Sequence, residues 1–188
     1  MLNFSTSNYL GLANHPRINK KAKDTIDDYG FGMASVRRVC GTINIHKELE
    51  ATITKFYKGG DTVMFACDFD PCGSIFESLL KNVDCILSDE LNHASIVNGM
   101  RLCKANKVEY KHVDMHDLEE KLKASMDKRI RMIATEGVFS MEGDLAPLPE
   151  IIALANKYDA LILLDESCAT GVIGKTGKGT PEHFNVEG

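Results

Sequence analysis

Four aliphatic residues in a row, Leu161-Ile-Leu-Leu164, end on Asp165 and run into Glu-Ser-Cys168-Ala-Thr-Gly171. A run this short, apolar on both alternating faces, reads as a fully buried parallel strand. Such a strand needs cover on both sides of its sheet, which restricts the chain to an α/β architecture. In open α/β sheets ligands sit beyond the carboxyl ends of the strands, so Asp165 stands where a cofactor is expected. From this stretch alone, an acid capping the next turn is the simpler reading.

The remaining sequence repeats the pattern. Strands are predicted over 62–66, 85–88, 108–113 and 131–135, and helices over 73–81, 93–105, 114–126 and 147–157, with Asp114 as a cap. Ahead of them, Pro16 opens a helix that places Ile18, Ala22, Ile26 and Tyr29 on one face and Gly30 past its end. A Gly-rich loop over 30–35 leads to a helix over 46–58, with Leu49, Ile53 and Phe56 inward and Gly59-Gly60 as its stop. Strand and helix in regular turn predict a mainly parallel sheet with helices on both faces. The polar tail over 181–188 adds no further strand, so the sheet reads as incomplete and the chain as a fragment of a longer protein.

Composition excludes several classes of function. The 188 residues are 44% hydrophobic and 26% charged, with a net charge of −5 and no basic cluster, which argues against nucleic-acid binding. Lys20-Lys21-Ala22-Lys23 is read as a solvated helix face, and no apolar run approaches the length of a membrane span. The six cysteines form no CxxC pair and no Cys/His ligand spacing, which predicts free thiols in a reducing compartment and no metal site.

Chemistry-bearing residues gather at the predicted strand ends. Cys67 and Asp68 follow the first strand and precede a helix, whose opening N–H groups suit a phosphate. His93 follows the second strand, Ser140 the strand over 131–135, and Asp165 the last. Each alone has an ordinary structural reading, a helix start or a turn; their convergence on one edge is what points to a site. Gly174-Lys175-Thr176 suggests a nucleotide-binding P-loop, but position 169 is Ala where a Gly is required, and neither the strand before nor the helix after is present.

Six segments carry a family resemblance: Asn8-Tyr-Leu-Gly-Leu12, Gly30-Phe-Gly-Met-Ala-Ser-Val-Arg37, Cys40-Gly-Thr42, His46-Lys-Glu-Leu-Glu50, Ser88-Asp-Glu-Leu-Asn-His-Ala-Ser95 and Gly137-Val-Phe-Ser-Met-Glu-Gly143. In order and without large gaps, they resemble the α-oxoamine synthases, pyridoxal-phosphate enzymes of fold type I. The resemblance implies the cofactor pyridoxal 5′-phosphate, with the backbone at Cys67 and Asp68 on its phosphate, His93 stacked on its ring and Ser140 near the ring hydroxyl. It also implies Asp165 on the pyridine nitrogen and Asn8 near the amino-acid carboxylate. Residues 1–45 are then a lead-in helix and Gly-rich loop, 46–188 a partial cofactor-binding large domain, and the C-terminal small domain is absent.

The second of those segments, Gly30 to Arg37, with the run over 99–105, looks most like the branch that joins glycine and acetyl-CoA to give 2-amino-3-oxobutanoate and CoA, or cleaves it in threonine breakdown. Branches making 8-amino-7-oxononanoate, 5-aminolevulinate or sphingoid bases are the alternatives, as is a catalytically inactive cofactor-domain fragment. A homodimer is implied, in the mitochondrial matrix or the cytoplasm. Two departures stand out. Cys168 occupies the place where the family has a His that contacts the ring hydroxyl, and a thiol is the poorer hydrogen-bond donor. The lysine that forms the Schiff base belongs to a Ser/Thr-Leu-Gly-Lys-like segment not found in these residues, so the chain by itself is expected to be inactive.

Overall fold

The computed structural model describes residues 5–67 and 69–186. The chain divides into two compact units, 1–64 and 65–188.

The first unit is helical. Helix α1 (Pro16–Tyr29) begins at a proline whose fixed φ suits a first helical turn, and it ends where Gly30 takes φ 80° and donates its N–H to Ile26 O at 2.8 Å. Helix α2 (Arg37–Cys40) is a single turn that the sequence pattern does not show. Helix α3 (Asn44–Tyr57) carries the buried Glu50, which accepts from Arg37 Nη1 at 2.7 Å, Lys47 Nζ at 2.8 Å and Met64 N–H at 3.1 Å. Those donors hold its carboxyl down to about 2. Leu49 and Phe56 of α3, expected to point inward, are exposed, as are Ile18, Ile26 and Tyr29 on the apolar face of α1. Periodicity announces an apolar stripe, and a unit this small buries only part of what it carries.

A second expectation is also corrected. Residues 62–65 form no strand, and Val63 and Phe65 are exposed. A strand exists through the ladder bonds of a neighbour, and no described strand pairs with this segment.

The second unit alternates as predicted: α4 (Phe69–Leu79), β1 (Cys85–Asp89), α5 (Ala94–Leu102), β2 (Asn106–Tyr110), α6 (Met115–Ala124), β3 (Arg131–Glu136), α7 (Leu148–Lys157), β4 (Ala160–Asp165) and α8 (Thr180–His183). The four strands are parallel in the order β2-β1-β3-β4. Leu87 stands opposite Val108 on one side and Ile133 on the other, and Glu136 stands opposite Asp165. Alternate strand residues feed two cores. Cys85, Leu87 and Ile133 pack with α6 and α7 residues such as Leu118, Leu122 and Ile151. Ile86, Met132 and Ala134 pack with Phe76 of α4 and Ile96 and Met100 of α5. Helices therefore cover both faces, because a run from β1 to β2 goes one way across the sheet and the runs to β3 and β4 go the other.

Within one face α4 and α5 approach closely. A Cβ on Gly99 would lie 2.9 Å from the backbone of both Cys72 and Gly73. Strand β2 starts and ends earlier than the predicted 108–113, because the turn from Lys111 to Asp114 (Asp114 N–H to Lys111 O, 3.0 Å) bends the chain and puts Val113 at φ 55°. The fully buried reading of 161–164 does not hold: among the described residues β4 pairs with β3 alone, and Leu161 is 49% exposed at this sheet edge. At the amino-terminal edge, buried Asp84 accepts from Arg129 Nη2 at 2.6 Å and Nε at 3.0 Å, and from the N–H groups of Lys81 and Ile130. Burial pushes its carboxyl up, but these bonds outweigh that and leave it lowered.

Candidate cofactor site

The strand order reverses between β1 and β3, and the crevice beyond their carboxyl ends is where open parallel sheets take ligands. His93 stands at that crevice as the residue preceding α5. Its Nδ1 accepts from Ser95 N–H at 3.2 Å and lies 2.8 Å from Ser95 Oγ. A nitrogen that faces an amide N–H carries a lone pair, so the neutral ring holds its proton on Nε2. The half-buried imidazole meets Phe69, the first residue of α4, with ring centroids 6.3 Å apart. The 11-residue helix α4 thus opens beside His93, with exposed Cys67 just before it. Asp68, expected on the phosphate, lies outside the described residues.

Ser140 sits on the loop after β3, exposed, and its N–H donates to Glu136 Oε2 at 3.0 Å. The other carboxylate oxygen, Oε1, accepts from His93 N–H at 2.6 Å. Glu136, the last residue of β3, is 3% exposed, and burial pushes its carboxyl up against the pull of those N–H donors. Its own N–H is held by Asn92 Oδ1 at 3.1 Å, while Asn92 Nδ2 donates to Ser88 Oγ and Ala134 O. Asn92 and Glu136 were not singled out from the sequence. The signal was there: Glu136 ends β3 as Asp165 ends β4, an acid directly after an apolar strand.

Asp165 lies next to Glu136 in register and accepts from Ser167 N–H at 2.8 Å through Oδ1. Cys168, three residues on, is half-buried in the following turn. Glu166 faces away from this group: it accepts from Thr180 N–H at 2.7 Å and from the Thr180 hydroxyl, and burial raises its carboxyl. A Cβ on Gly137 would run into that carboxylate. Asn8 belongs to the 1–64 unit, where its Oδ1 accepts from Ala13 N–H at 3.1 Å as a turn former.

A second tie runs from the loop after β2 to the end of β1 and the loop after β3. His112 Nδ1 lies 2.9 Å from Asp89 Oδ1 and Nε2 lies 3.0 Å from Asp144 Oδ2, with the ring edge-on to Phe139. Asp89 also accepts from Leu91 and Val113 N–H. Burial pulls the imidazole down, but the two carboxylates outweigh it and raise its pKa.

The family model for class I and II aminotransferases matches residues 1–188. The chain belongs to that family. It is 50% identical over 186 residues to the mitochondrial 2-amino-3-ketobutyrate coenzyme A ligase of Bos taurus, covering 99% of this chain and 44% of the relative. It is 47% identical to 8-amino-7-oxononanoate synthase 1 of Bacillus velezensis, covering 100% of this chain and 48% of that one. Among solved structures, a serine palmitoyltransferase from S. paucimobilis with bound PLP superposes with a TM-score of 0.93 at 31% identity, over 97% of this chain and 46% of that chain. The chain spans about half the length of the relatives it matches.

Class I and II aminotransferases of this kind depend on pyridoxal 5′-phosphate. The donor set here fits that molecule. It combines a helix N-terminus for an anion, a flat imidazole for a flat ring, a carboxylate for a protonated ring nitrogen and a hydroxyl nearby. Among the described residues no group of three or more His, Cys, Asp or Glu side chains is placed to hold a metal ion. Among them, too, no helix is long and apolar enough to cross a membrane.

Proposed function

We propose that the protein to which these residues belong is a glycine C-acetyltransferase, joining glycine and acetyl-CoA to give 2-amino-3-oxobutanoate and CoA, or running that reaction in reverse. The observation that carries this reading is the meeting of the α4 N-terminus, His93, Ser140 and Asp165 at the carboxyl edge of one sheet. The 50% identity to a ligase whose name contains that ketobutyrate product supports the branch. The 8-amino-7-oxononanoate synthases, at 47%, make their reaction the second reading.

In this reading the backbone around Cys67 and Asp68, with the first N–H groups of α4, holds the phosphate. His93 restrains the ring from one face with its proton kept on Nε2, away from Ser95. Ser140 donates near the ring hydroxyl, and Cys168 offers a weaker donor there. Asp165 keeps a proton on the pyridine nitrogen, since a carboxylate favours the cationic form of its partner. When bound, pyridoxal phosphate supplies the electron sink that stabilises a carbanion at the amino-acid α-carbon. Asn8 is assigned the amino-acid carboxylate, two copies of the chain pair as a dimer, and the mitochondrial names of the mammalian relatives favour the matrix.

None of the lysines in these 188 residues is given a covalent role: Lys175 and Lys178 stand in a Gly-rich loop, not in a Ser/Thr-Leu-Gly-Lys segment. The test is CoA release, followed with a thiol reagent, from the longest chain the gene encodes. Glycine with acetyl-CoA is expected to release CoA faster than any pairing with the longer acyl thioesters that a nine-carbon or sphingoid product requires. Faster release with a long acyl thioester would transfer the reading to the second branch. A chain of these 188 residues alone is expected to release none.

A further inference from the structure

We infer that Glu136 is a positioning residue that sets His93 and Ser140 against one another across the β1–β3 crevice, which rests on the reading of those two residues as cofactor-facing. Its two carboxylate oxygens go to two different loops: Oε1 accepts from His93 N–H at 2.6 Å and Oε2 accepts from Ser140 N–H at 3.0 Å. One buried side chain therefore fixes the backbone from which the imidazole springs and the backbone from which the hydroxyl springs. The grip is reciprocal. Asn92, the residue before His93, holds Glu136 N–H at 3.1 Å and is itself anchored to Ser88 Oγ at 2.8 Å and Ala134 O at 2.7 Å.

Asp84 shows what a purely structural buried acid looks like in this fold. It lies at the opposite edge and its charge is met by Arg129. Among the described residues no Lys or Arg is paired with Glu136. A buried carboxyl without a cation costs stability, so its presence at this point of the crevice is accounted for by the two amides it holds and the Ser140 hydroxyl beside them. A glutamine has one acceptor oxygen and an NH2 that faces a second donor, and it can hold only one of the two loops.

The test compares wild type with Glu136→Gln in the longest chain the gene encodes. The apoprotein is titrated with pyridoxal 5′-phosphate and followed by circular dichroism in the cofactor band, and hydrogen exchange is read at the amides of residues 93 and 140. The expected result is exchange accelerated about tenfold or more at one or both amides, unchanged protection in α6, about tenfold weaker cofactor binding and an altered cofactor dichroism. Unchanged exchange at both positions, or exchange accelerated equally throughout 65–186, would overturn the inference. Where Glu136→Gln does not fold, Glu136→Asp, which keeps the charge but is too short to reach both loops, carries the same test. Loss of fold in both variants would make Glu136 a folding residue and overturn the inference as well. His93→Ala and Ser140→Ala run in parallel separate the two claims: if neither weakens cofactor binding the site reading fails, whereas if both do and Glu136→Gln does not, only the inference fails.

Discussion

Two carboxylates hold one imidazole at the rim of the crevice, and that arrangement has a direction with pH. The His112 ring bridges Asp89 and Asp144, and its pKa is raised above the ordinary 6.5. A histidine whose pKa is higher folded than unfolded contributes stability that is fully present below about pH 6.5. That contribution declines as pH rises through the folded value and is gone above it. The groups facing the ring from the packed elements are Asp89 at the end of β1, Asp144 on the loop after β3 and the Phe139 ring. Thermal unfolding followed across neutral pH is expected to show wild type losing stability with rising pH relative to His112→Gln. Parallel curves for the two proteins would refute the charged bridge. Because Glu136 and His112 both tie the loop after β3, loosening either is expected to be felt at Ser140.

At the scale of elements, helix α5 is set by what Gly99 lacks. With the Cys72 and Gly73 backbone 2.9 Å from where a Cβ would stand, Gly99→Ala forces α4 and α5 apart, and is expected to cost about 1–3 kcal/mol. Chemical denaturation measures this directly, and an unchanged midpoint would show that the helices yield without cost. The same scale explains what the sequence revealed and what it hid. Strands β1, β3 and β4 and helices α1, α6 and α7 were legible because apolar spacing, Pro16, Asp114 and the flanking glycines all agreed. The segment 62–66 has equal strand character but no partner strand among the described residues, and pairing is not written in a segment's own residues. Leu161 reads as buried by composition and stands at an edge for the same reason. In the site, His93, Ser140 and Asp165 were legible as strand-end residues. Glu136 was hidden because its work is done through two main-chain N–H groups, 43 and 4 residues away in sequence.

For the whole molecule, the second unit carries a two-sided core and the groups proposed to face the cofactor, while the first leaves apolar faces of α1 and α3 exposed. Family membership and cofactor follow from the match across the full chain and from the crevice itself. Reaction and substrate follow from them as a proposal, in which Asp165 is assigned the pyridine nitrogen. The most direct measurement is the pyridoxal 5′-phosphate affinity of wild type and Asp165→Asn in the longest chain the gene encodes, read together with the pH dependence of the cofactor's absorbance. The account predicts that removing the carboxylate weakens binding about tenfold or more, and that the bound ring nitrogen loses its proton at lower pH than in wild type. Equal affinity and an unshifted pH profile in the two proteins would contradict it.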